Sequence, residues 1–144
     1  MIRPVGFYLK SMIHSFNIKL ATNFGIEKAI IIHSLYFWVC KNAANDTHLH
    51  DDRYWTYNSA KSLSLLFPYM SAKKIWRVVD DLIKDDILIK GWFNESPFNR
   101  TAWHTFSDYG LSVLVDSGYD ISNLISKLST FQKWKFSNSK NGKC

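Results

Sequence analysis

Cysteine, proline and glycine are all scarce in this chain: two, three and six among 144 residues. Cys40 falls inside an apolar helical pattern and Cys144 is the last residue, so the pair closes no useful structural loop. A disulfide framework is thereby excluded, and a reducing cytoplasm is the expected setting. The few glycines form no phosphate-cradling loop, no dinucleotide fingerprint and no nucleophile elbow, which argues against an enzyme and against a bound cofactor. No apolar run reaches the roughly 18–20 residues of a membrane span. The longest, Ala29 to Cys40, is interrupted by His33 and Ser34. The opening Met1-Ile-Arg-Pro-Val-Gly6 has neither the apolar run nor the small-residue cleavage site of a secretory leader.

Apolar residues make up 47% of the chain and aromatics 16%, enough for a packed core. The reading is one domain over 1–136 and a disordered tail over 137–144. Net charge is +6, which suits a polyanionic partner. The excess is unevenly placed. Residues 71–104 hold six basic and five acidic side chains, a net of only +1, whereas residues 1–50 hold five and two.

Hydrophobic spacing predicts a mainly α chain with a small antiparallel sheet. Residues 8–20 are weakly helical. Ile26 to about Lys41 is apolar almost all round, as expected of a core helix or of a dimer contact. Residues 42–53 read as a polar loop, and Tyr54-Trp-Thr-Tyr57 as a first strand. Asn58 or Ser59 caps a helix to about Phe67, Pro68 stops it, and Ser71 caps a second helix from Ala72 to about Lys84. On that helix Ile75, Val78, Val79, Leu82 and Ile83 form one stripe, and Lys73, Arg77, Asp80 and Lys84 lie opposite. Residues 87–93 and 101–106 are β-rich and flank the polar stretch Asn94–Arg100, which predicts a hairpin. Ser107 or Asp108 caps a short helix to about Val115, Gly118 breaks it, and Ile121, Leu124, Ile125 and Leu128 mark one more amphipathic helix. That last stripe could fold back on the monomer or supply a homodimer contact.

The order helix, turn, helix, strand, hairpin, strand resembles a winged helix-turn-helix. The runs Phe24-Gly-Ile-Glu-Lys-Ala-Ile-Ile-Ile-His-Ser-Leu-Tyr-Phe-Trp38, Arg53-Tyr-Trp-Thr-Tyr-Asn58, Phe67-Pro68, Ser71 to Leu82, Asp86 to Asn94 and Arg100 to Phe106 together are similar to winged-helix replication initiators, or replisome organisers, of phages and mobile elements of low-GC bacteria. The resemblance covers about residues 20 to 114. It implies a helix-turn-helix over 59–84, a wing over 87–106 and C-terminal helices over 108–128. Proteins of this kind often carry a further domain for helicase loading or oligomerisation, and here only a short helix is expected beyond the wing.

Phosphate contacts are then expected from Lys73, Lys74, Arg77 and Lys84, with the Ser71 hydroxyl and the helix N-terminus adding dipolar attraction. Base-edge contacts fall to Lys73, Arg77 and Trp76, and Arg77 suits guanine bidentately. Asn99 and Arg100 near the wing tip could reach a minor groove. Asp80 either orients Arg77 and Lys84 or repels phosphate. The bland alternative is an ordinary solvated helix face. The run His48-Leu-His-Asp-Asp52 has metal-binding residue types but no zinc-ligand spacing, so a solvated loop and no metal are expected. His33 reads as a satisfied core residue. Trp55, Trp92 and Trp103 are expected on the strands, packed over the helices. Trp76 separates the two function classes, because exposure there would suit a protein pocket. The leading expectation is a non-catalytic duplex-DNA-binding protein acting in replication initiation or transcriptional regulation. The alternative is a phage protein that binds and inhibits a host or defence protein.

Overall fold

The computed structural model describes residues 13–141. Six helices and five short strands follow in order: α1 (Ile18–Phe24), α2 (Ile26–Ala44), β1 (Leu49–His50), β2 (Arg53–Tyr54), β3 (Thr56–Tyr57), α3 (Ala60–Leu66), α4 (Ala72–Lys84), β4 (Leu88–Gly91), β5 (Trp103–Phe106), α5 (Asp108–Asp116) and α6 (Thr130–Asn141). The chain is mainly helical with two small antiparallel sheets, as the periodicity indicates. No described helix is long and apolar enough to cross a membrane.

Caps set most helix boundaries. The Asn17, Ser59, Ser71 and Ser107 side chains each accept a backbone N–H three residues on, satisfying a donor that the first turn cannot. Residues 8–12 of the weak helix expected over 8–20 lie outside the described residues. Within them the helix starts only at Ile18, because the Asn17 cap fixes it there. α4 ends at Asp85, followed by Asp86 at φ 60°. Asp86 N–H reaches Ile83 O and Ile87 N–H reaches Leu82 O, the paired bonds of a Schellman stop. α5 ends the same way, with Gly118 at φ 95°.

α2 is buried along one stripe only (Ala29, Ile31, Ile32, Leu35, Val39), while Ile26 and Phe37 face solvent. Its near-continuous apolar circumference therefore exceeds what α1, α4, β2 and β3 cover. The larger core joins that stripe to Leu63 and Phe67 of the α3 region, Ile75, Val79 and Leu82 of α4, and Leu111 and Leu114 of α5.

β5 is the centre of a three-stranded sheet of order β3-β5-β4. The β4–β5 register runs from Leu88↔Phe106 to Gly91↔Trp103, so the expected hairpin is present. The stretch expected as a loop over 42–53 is instead the end of α2 followed by a tight hairpin. β1 and β2 pair across Asp51-Asp52, both at positive φ (53° and 63°), a two-residue turn whose twist suits antiparallel strands.

The base of the β4–β5 hairpin is closed. Ser107 donates its N–H to Ile87 O at 3.1 Å and its Oγ–H to Asp86 O at 2.5 Å, while the same Oγ accepts from Gly110 N–H. α5 approaches so closely that a Cβ at Gly110 would fall 2.0 Å from Ile87 O.

Two expectations at the C-terminus are corrected. Residues 121–128 form consecutive turns, not a regular helix, although Ile121, Leu124 and Leu128 do enter the core. Burial satisfied the spacing without a full helical ladder, and the stripe is spent within the chain. The tail expected to be disordered from 137 is helical as far as Asn141. α6 is anchored by buried Phe136 and by Lys135 Nζ, 3.5 Å from Asp108. Arg53 also pairs with Asp108, and its hydrogen bond, ahead of the charge alone, holds that carboxyl below its ordinary range.

Candidate nucleic-acid interface

α3 and α4 meet through a short bend. Phe67 ends α3, Pro68 blocks its continuation, and Met70 N–H returns to Phe67 O. Ser71 Oγ accepts from Lys74 N–H at 3.1 Å and opens α4. Ile75, Val78, Val79 and Leu82 then turn inward, which leaves Lys73, Arg77, Asp80 and Lys84 outward. This is the face expected from the sequence. Among the described residues, no ion pair engages Lys73, Arg77 or Lys84. Three cations thus stand against the single carboxylate of Asp80 on the outward face, which does not pair with them.

The two flanks of α4 differ. On one flank Lys74 pairs with Glu27, and Lys28 Nζ lies 2.9 Å from Asp85. The first turn of α2 therefore grips α4 on both sides of Arg77, which lines a shallow depression with Gly25, Ile26, Glu27 and Lys28. Lys74, one of the expected phosphate contacts, thus also ties α4 to α2. The Asp85 carboxylate is neutralised by Lys28.

On the other flank Trp76 is half-buried against the core, its ring 6.3 Å from that of His104. It is not an exposed anchor. His104 is only 5% exposed, and burial pushes its pKa down to about 4; Lys90 adds to the fall and Asp80 opposes it. The imidazole beside Trp76 is therefore neutral near neutral pH.

The loop from Trp92 to Ala102 joins β4 to β5. Asn99 is bound into it: its Nδ2 donates to Tyr57 Oη at 2.6 Å and its Oδ1 accepts from Thr101 N–H. Arg100 is exposed. Trp92, expected to pack over the helices, is instead 61% exposed just past the end of β4, and Lys90 Nζ sits 5.7 Å from its ring centroid. Phe98 is 92% exposed. Nothing in the sequence singled out Lys90 or Phe98. The nearest signal was a bulky residue directly after Pro97 in an otherwise polar loop.

The imidazoles of the first hairpin serve packing. His50 stacks on Phe93 at 4.2 Å, and both His48 and His50 meet the edge or face of Trp103. Among the described residues no cluster of His, Cys, Asp or Glu is placed to hold a metal ion. His33 Nδ1 shares a hydrogen bond of 2.8 Å with Tyr119 Oη. Burial raises the Cys40 thiol, which lowers its reactivity.

No family model, no curated protein and no solved structure matches this chain.

Proposed function

We propose that residues 53–106 act as a winged helix-turn-helix that binds duplex DNA without catalysis, in replication initiation or transcriptional regulation of the phage or mobile-element type. The observation that carries this is the outward face of α4, where Lys73, Arg77 and Lys84 stand free of ion pairs on a helix capped by Ser71 and fixed by α2. In this reading Lys73 and Lys84 meet phosphates, which sets register and salt dependence. Arg77 addresses a base edge. Arg100 follows the backbone from the wing.

Fluorescence anisotropy of a labelled duplex at about 50 and 200 mM salt tests it. Affinity is expected to fall at least tenfold between the two. Arg77→Ala should lose a further factor of about ten, equivalent to roughly 1–3 kcal/mol for a bidentate base contact. Binding that ignores salt, or that is absent at the lower concentration, sinks the reading.

A second reading is a complex with a host or defence protein. One observation favours it: a charge-free apolar surface on the α2–α3 side, where Ile13, Phe16, Phe37, Leu65 and Tyr69 are exposed beside Ile30 and Leu66. It predicts a complex that survives Arg77→Ala and fails on Phe37→Glu.

A further inference from the structure

The wing loop turns one polar side chain, Asn94, inward and two of its rings, Trp92 and Phe98, outward, while Phe93 packs on His50 and Trp103. Asn94 sits at the centre: its Oδ1 accepts from Trp103 Nε1–H at 2.8 Å, and its Nδ2 donates to the carbonyls of Asn99 and Thr101 at 2.9 Å each. Asn99 fastens the loop to Tyr57, and Ser96 accepts from the N–H groups of Phe98 and Asn99 through its Oγ and its carbonyl. These bonds fix the backbone on both sides of Phe98 while its ring stays in water. Exposing a phenyl ring on an ordered loop forgoes the stabilisation of burial, and nothing in the fold repays it. Trp92 adds a second exposed ring at the base of the same loop.

Each ring has a cation beside it in the chain or in space. Lys90 Nζ lies over Trp92, and Arg100 follows Phe98 by two residues, against Glu95 as the loop's only acid. Flat apolar rings next to cations match the chemistry of a base next to its phosphate. We propose that Trp92 and Phe98 form a second binding element, which takes up nucleobases at an unpaired or unstacked step beside the duplex held by α4. This rests on the duplex-DNA reading and extends it to distorted DNA.

The test compares a fully matched duplex with one of equal length carrying a short central run of mismatches, by anisotropy at about 50 mM salt. Stacking of one or two bases should make the mismatched duplex bind about tenfold tighter. The Trp92→Ala/Phe98→Ala double variant should erase that ratio and leave matched-duplex affinity unchanged. Both rings are exposed, so the fold should survive, and an unchanged thermal midpoint confirms it. A ratio of one for the unmodified protein, with salt-sensitive matched binding intact, overturns this inference alone. So does a preference that persists in the double variant, or an equal loss on both DNAs, or rings that are protected only by a bound protein. Binding to neither duplex overturns the DNA reading along with it.

Discussion

Two loops of similar polarity both meet Trp103, and they use their polar side chains differently. In the β1–β2 hairpin the imidazoles of His48 and His50 go inward onto Trp103 and Phe93, while Asp51 and Asp52 turn outward at positive φ. In the β4–β5 loop the carboxamides of Asn94 and Asn99 go inward and Phe98 goes outward. The difference follows from what each loop has to satisfy. A two-residue turn frees few backbone groups, so its flanking side chains can stack. An eleven-residue loop leaves many N–H and C=O groups without a ladder partner, and asparagine side chains supply the missing partners. Loop composition therefore says how polar a loop is and not which way its rings face.

Removing the shared support should have the largest effect. Trp103→Ala takes away the ring under His48, His50, Tyr57 and Phe93 together with the donor to Asn94, and should cost about 3–5 kcal/mol in urea unfolding. A loss below about 1 kcal/mol would show that the two loops do not share a foundation.

A third imidazole sharpens the contrast through pH. His104 is buried without a stacked partner, and its pKa of about 4 lies below the ordinary 6.5. The unfolded chain therefore binds the proton more readily. The stability His104 contributes is complete above pH 6.5 and is lost as pH falls towards 4, by about 3 kcal/mol in all. Unfolding followed across that window should show a steeper loss of stability in the native protein than in His104→Leu. Equal slopes would remove His104 from the account.

Asn94→Ala should follow, at about 1–3 kcal/mol, because it orphans the Trp103 indole N–H and two loop carbonyls. Faster exchange of that indole proton is the direct readout. The smallest effect runs the other way. Asp52→Gly should stabilise by about 0.5–1 kcal/mol, because glycine meets φ 63° without a Cβ. A raised urea midpoint at constant slope would show it, and a lowered midpoint would mean that the Asp52 side chain itself holds the turn.

Where chemistry is local, the sequence was readable. Ser59, Ser71 and Ser107 begin their helices where a hydroxyl before an apolar stripe says they should, and Pro68 and Gly118 end theirs. The outward face of α4 followed from spacing alone. Long-range chemistry was not legible. The Lys74–Glu27 pair joins residues remote in sequence and left no local signal. The β1–β2 hairpin was hidden because its turn uses two aspartates where glycine is the usual signal. Residues 121–128 have helical spacing but settle for turns, since burial of Ile121, Leu124 and Leu128 fixes which side chains point inward and leaves the ladder open. The outward pose of Phe98 depends on an asparagine network that no periodicity encodes.

The knot of bonds among Asp86, Ile87, Ser107 and Gly110 gives the β4–β5 hairpin an independence of its own. The chain leaves α4, travels out and back, and is sealed where it returns, so the angle of α4 is set beneath the seal. The loop over 92–102 can lengthen, shorten or exchange its tip at a modest entropic charge that grows only slowly with length. The molecule thus separates a fixed arm from an interchangeable fingertip, and a lineage could vary the fingertip while the arm stays in place.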